Sequence, residues 1–221
     1  MSEQTVQRRL VWWWVLVGSI AVLSFGGRAA SDSEPDPNVF YQYDTVAVGV
    51  ALYLLLLGLV LLIATGLDVR EAFALRRPRN WKRAALIALG AFVAMWIVAA
   101  ILELIFHAGE EQGLDPERLT VNRLAPFLLN LVLAAVVVPA VEELIYRGLG
   151  FRLLAQFGDI AAVVVTSLAF ALAHGIVDGI PVFFVIGSAL GFVRSRTQSI
   201  YPSMIMHGLF NGIQVVLGAA S

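Results

Sequence analysis

The chain has 221 residues, of which 59% are hydrophobic and only 14% charged, and its mean hydropathy is +0.83. Soluble domains carry about 25% charged residues, so a soluble globular domain is excluded. The net charge of −1, from 15 basic and 16 acidic side chains, offers no field to attract nucleic acid, and with no cysteine the chain has no disulfides, thiolate zinc sites or cysteine nucleophiles.

Cutting the sequence at charged residues leaves uncharged stretches at 10–27, 45–67, 84–102, 124–141, 160–177, 179–193 and 197–221. Most reach the roughly 17–25 residues that a helix needs to cross ~30 Å of hydrocarbon. Continuous runs such as Leu54 to Ile63 are unlike the short alternating strands of a β-barrel. The expected fold is therefore all-α: a polytopic integral membrane protein of about seven transmembrane helices. The first stretch, with Arg8 and Arg9 before it and Ala29, Ala30 and Ser31 after it, resembles a secretory signal. Its 18 residues exceed an h-region of about 7–15. It reads as a retained helix, with Trp12, Trp13 and Trp14 as an interfacial anchor.

An acidic, Pro-containing loop follows at 31–38. Between the second and third stretches, Arg76 to Arg83 (RRPRNWKR) is the densest basic run. It reads as a topology determinant lying against anionic headgroups. The chain divides into N-terminal helices and loops over 1–119 and a C-terminal core over 120–221. Placing the N-terminus in the cytoplasm puts 12 basic residues inside and three outside, namely Arg28, Arg118 and Arg123. That asymmetry predicts a cytoplasmic N-terminus and an outward C-terminus.

Charged groups inside spans are costly and mark candidate sites. The segment 136–152, VVVPAVEELIYRGLGFR, places Glu142, Glu143 and Arg147 at the end of an apolar run. Glu143 and Arg147 are i,i+4 and can pair as a structural ion pair. Glu142 is turned ~100° away and left available for chemistry. Pro139, just upstream, removes a backbone donor and opens the helix locally. Downstream, Phe170 and His174, then His207 and Asn211, are each four apart on one helix face. Counting about 1.5 Å per residue from the inner ends puts Glu142 and His207 at about 15 Å depth and His174 at about 21 Å. The three levels agree to about one turn. Phe170 reads as packing beside His174. Glu103 and His107, also i,i+4, lie near Glu110 and Glu111 at the outer end of the third stretch; they read as a solvated interfacial cluster rather than a metal site.

A carboxylate and an imidazole at one cavity can deprotonate and aim a water at a carbonyl carbon. A second imidazole and a carboxamide can donate to the resulting oxyanion. The same Glu142, His174 and His207 could instead be three ligands of a zinc ion with an open water position. Sequence spacing does not separate the two, since no HExxH occurs.

Taken in order, EExxxR (Glu142, Glu143, Arg147), FxxxH (Phe170, His174) and HxxxN (His207, Asn211) resemble the three motifs of the CPBP intramembrane protease family, also called Abi, which includes the type II CAAX prenyl endopeptidases. The resemblance covers about 120–221. It implies that Glu142 and His174 activate water, that His207 and Asn211 stabilise the oxyanion, and that Glu143 and Arg147 support the first motif. It further implies a metal-free glutamate mechanism, with Zn2+ the alternative cofactor. The implied substrate is a prenylated CAAX-type or other membrane-associated peptide, and the expected location is the plasma membrane of a prokaryote. Leader or bacteriocin-like peptides are an alternative substrate class. A non-proteolytic scaffold or immunity protein would keep the fold but tolerate alanine at Glu142, His174 and His207. A transporter would use the same groups as an ion relay, but no inverted repeat is visible.

Overall fold

In a computed structural model, residues 3–30, 36, 38–106 and 119–220 are described, and all regular structure among them is helical. Lipid offers no partner for backbone N–H and C=O groups, so apolar runs of this length close their hydrogen bonds within one helix. α1 is Glu3–Ala29, α2 Tyr43–Ile63, the single turn α3 Val69–Ala72 and α4 Trp81–Phe106. The unbroken run Val121–Phe157 is α5, followed by α6 Asp159–Ala173, α7 Ile180–Thr197 and α8 Tyr201–Ala220. Six of these, all but α3 and α6, are long and apolar enough to span a bilayer. Leu62, Leu86 and Leu104, at 69%, 71% and 79% exposure, stand on their outward faces. Such bare leucine surface meets lipid tails, and the chain is an all-α integral membrane protein.

Three expectations change in detail. The fourth helix, expected to continue past 141 to about Arg152, runs on to Phe157 in a 37-residue stretch, because the charges that interrupt it are paired inside the protein. The fifth, expected at 160–177, is the 15-residue α6, about 22 Å long against ~30 Å of hydrocarbon. It ends where Gly175 adopts φ +68°, a conformation open to glycine. A Cβ at Gly175 would also stand 2.7 Å from the Ser24 backbone of α1. Finally, Trp12 and Trp14 are exposed, but Trp13 is fully buried and is no interfacial anchor. Its indole Nε1–H donates to the Ile145 carbonyl at 2.9 Å.

The helix ends that carry most of the basic residues are tied together. Arg9 of α1 donates to the carbonyls of Ile63 and Thr65 at the end of α2. Arg76 donates to Gln198 at 2.7 Å, and the Ile200 amide donates to the Ala74 carbonyl at 3.2 Å. Ser195 donates to Asp159 at 2.7 Å, and Arg152 pairs with Glu71 at 3.7 Å. Above this end α7 packs between α6 and α4, α1 lies on α6, α2 lies along α5, and α8 packs against α5. Trp13, Phe73, Tyr146, Leu149, Phe170 and Leu190 form the buried centre.

Candidate active site

Pro139 shapes the first part of the site. The turn before it, Leu133–Val137, is π-helical, and the Val138 amide reaches back five residues to the Leu133 carbonyl. In that register the next carbonyl, Ala134, would need the amide hydrogen that Pro139 lacks. The Asn211 carboxamide fills the gap, donating from Nδ2 to the Ala134 oxygen at 3.1 Å. α8 can come this close because position 208 is glycine; a Cβ there would overlap the Ala135 carbonyl oxygen. One carboxamide N–H is thus held by backbone, which fixes the plane of the group and leaves the second N–H to the cavity that Asn211 lines.

A second π-helical segment, Leu144–Gly150, follows Glu143. Glu143 Oε1 lies 3.2 Å from Arg147 Nη1, and both side chains are wholly buried. Such a pair is costly to bury, and further contacts offset part of that cost, although Glu143 Oε2 and Arg147 Nε have no hydrogen-bond partner. Arg147 Nη2 donates to the Gly187 carbonyl at 2.8 Å, and its guanidinium lies 4.7 Å from the Phe170 ring centroid. Gly187 sits in tight packing: a Cβ there would stand 3.0 Å from the Ser167 Cα and 3.2 Å from that same Nη2. Glu143 Oε1 is also 3.3 Å from His207 Nδ1, so the expected pair is part of a triad.

Glu142 faces the cavity instead. Its Oε1 accepts the Tyr53 hydroxyl at 2.7 Å, and its Oε2 stands 3.7 Å from His207 Nε2. His207, 2% exposed, therefore lies between the two glutamates. His174 follows the last residue of α6, and its Nδ1 lies 2.8 Å from the Phe170 carbonyl oxygen. A carbonyl only accepts, so Nδ1 carries the proton and Nε2 keeps a lone pair. The His174 ring stacks on Phe183 at 3.8 Å and meets Phe170 edge-on at 4.7 Å. Phe170 also lies 5.6 Å from His207, so it separates and orients both imidazoles.

Glu142, His174, His207 and Asn211 line one cavity of about 1130 Å³. The rest of its wall is mainly apolar, with Leu16 and Ile20 from α1, Leu52 and Leu56 from α2, and Trp96 from α4. The four expected site residues and the three supporting ones, Glu143, Arg147 and Phe170, thus come from three helices to one place. Glu103 lines the same cavity, while His107, Glu110 and Glu111 lie outside the described residues. Tyr53 was not read from sequence; its signal was a single hydroxyl in the otherwise apolar run Val46 to Ile63. Arg194 was passed over as well: it is 5% exposed and donates to the Arg147 carbonyl at 3.1 Å.

Zinc needs three or four converging donors. Among the described residues no three His, Asp or Glu side chains are grouped closely enough to hold a metal ion. Glu142, with one oxygen bonded to Tyr53, does not form a ligand set with His174 and His207 as placed.

Residues 124–213 match the family model described as Rce1-like, type II CAAX prenyl endopeptidase. Neither a curated protein nor a solved structure matches the chain. The matched stretch runs from the start of α5 into α8 and includes all three motifs. Over this stretch the chain is similar to the Rce1-like family of type II CAAX prenyl endopeptidases.

Proposed function

We propose that the protein is an endopeptidase that cleaves a peptide bond near the C-terminus of a prenylated, CAAX-type substrate by direct attack of water. The observation that carries this reading is the division of labour in the wall of one mainly apolar cavity: a carboxylate with a hydroxyl-bonded oxygen, an imidazole with a free Nε2, and a carboxamide with a spare N–H. A mainly apolar chamber of about 1130 Å³ suits a lipid chain, and the polar cluster suits the peptide beside it.

Glu142 and His174 hold the water. Glu142 takes its proton as the oxygen bonds to the carbonyl carbon, and the carbonyl π electrons move to oxygen. The oxyanion accepts hydrogen bonds from Asn211 Nδ2 and His207 Nε2. When the tetrahedral species collapses, the C–N bond breaks and Glu142 returns the proton to the leaving amine. For His207 to donate from Nε2 while Nδ1 donates to Glu143, it carries both ring protons. With that charge the buried cluster of Glu142, Glu143, Arg147 and His207 sums to zero, the arrangement that burial favours. The basic end faces the cytoplasm in this reading, and the host membrane is a prokaryotic plasma membrane.

The test is cleavage of a farnesylated CAAX peptide by the detergent-purified protein, with products identified by mass spectrometry and an unprenylated peptide and a chelator run alongside. We expect release of the C-terminal tripeptide, dependence on the prenyl group and indifference to the chelator. Equal cleavage of the unprenylated peptide would overturn the substrate class. Loss with chelator, rescue by zinc and stoichiometric bound zinc would overturn the metal-free step.

A further inference from the structure

The Tyr53 hydroxyl lies outside the family-matched residues, in the otherwise hydrocarbon run Val46 to Ile63 of α2. From Val46 to Ile63 it is the only side chain able to hydrogen-bond. A hydroxyl placed in such a helix costs free energy unless it finds a partner. Its partner is Glu142 Oε1, 89 residues away, at 2.7 Å. That is the distance of a well-formed O–H···O hydrogen bond.

We infer that Tyr53 is a positioning residue for hydrolysis: its O–H fixes one oxygen of Glu142, so that the other is presented to water in the cavity. This rests on the proposed role of Glu142. The remaining oxygen, Oε2, faces His207 Nε2 at 3.7 Å, beyond a hydrogen bond. Without Tyr53 the carboxylate would be free to turn about its last torsion, which is broad for a glutamate. It would then close on His207 and lose its aim. The other ionisable groups around Glu142 do not replace the contact. Tyr146, Glu143 and Arg147 are on its own helix, and Glu143 and Arg147 are bonded to each other. His207 comes from α8 and His174 from the end of α6, with its Nδ1 already on Phe170. Glu103 of α4 lines the same chamber. The N-terminal helices thus contribute a working part to a site whose recognisable motifs all lie C-terminal to them.

Two substitutions test this. Tyr53→Phe removes one oxygen and no packing volume; fluorotyrosine at 53 keeps the shape and strengthens the donor. The first readout is the carboxylate stretching band of Glu142 in infrared difference spectra, assigned by its disappearance in Glu142→Gln and measured without substrate. We expect the band to move in opposite directions in the two variants. The second is turnover of the farnesylated peptide by Tyr53→Phe. Losing one hydrogen bond to a charged group should lower kcat about tenfold and leave KM within about twofold, because the bond is made to the reacting carboxylate and not to the peptide. An unmoved band in both variants would overturn the inference, as would a loss carried by KM alone. Should the wild type cleave no such peptide while the band still shifts, the protease reading fails and the coupling of Tyr53 to Glu142 stands.

Discussion

Glu142 and Glu143 are neighbours in sequence, yet their partners assign them different chemistry. Glu143 is wholly buried against Arg147 and His207, whereas Glu142 meets a hydroxyl and a cavity. The i,i+4 spacing made the Glu143–Arg147 pair legible in sequence. The contacts of His207 with both glutamates and of Tyr53 with Glu142 were not, since spacing within one helix says nothing about which distant helix will face it. Removing one partner of a buried ion pair strands the other, at about 3–5 kcal/mol. Arg147→Ala should therefore lower the thermal midpoint sharply or prevent purification of folded protein, as read by melting in detergent. An unchanged midpoint would show that Glu143 is satisfied without it. Asn211→Ala should fold but turn over about 10²–10³-fold more slowly, the usual loss for one oxyanion donor. Steady-state kinetics would separate that from a change in KM.

At the scale of elements, α5 shows what sequence reading finds and what it misses. Local opening at Pro139 was expected from its missing N–H. The π register on either side was not, because hydropathy reports which face is apolar and not how each carbonyl is closed. The consequence is specific: Ala134 is left with an oxygen that Asn211 satisfies. Pro139→Ala restores the amide and lets it compete for that oxygen, and removing a helix-interior proline can relieve up to about 3 kcal/mol of helix cost. Thermal stability should hold or rise while turnover falls. A variant as active as wild type would show that the freed carbonyl has no part in placing Asn211. The exact end of α6 at Ala173 was likewise hidden, since only the fold reveals that Gly175 takes a positive φ against α1.

For the whole molecule, the fold class was legible from hydropathy alone, because membrane spans are set by length and continuity and not by detail. The convergence of three motifs was legible only through their order and depth, and the apolar chamber beside them was not, as it is bounded by helices on both sides of the basic run. The chain has no cysteine, so single cysteines can map its orientation without background. A cysteine at Arg77 should react with a membrane-impermeant thiol reagent only from the cytoplasmic face, and one at Asp36 only from the opposite face; the reverse labelling would invert the topology. The central claim is that Glu142 drives hydrolysis from within this chamber, and Glu142→Gln tests it most directly because the amide keeps size and can still accept from Tyr53. Cleavage of the farnesylated peptide by that variant should fall by at least about 10³-fold, with unchanged melting and unchanged binding of the uncleaved peptide. A variant that cleaves at the wild-type rate would contradict the claim.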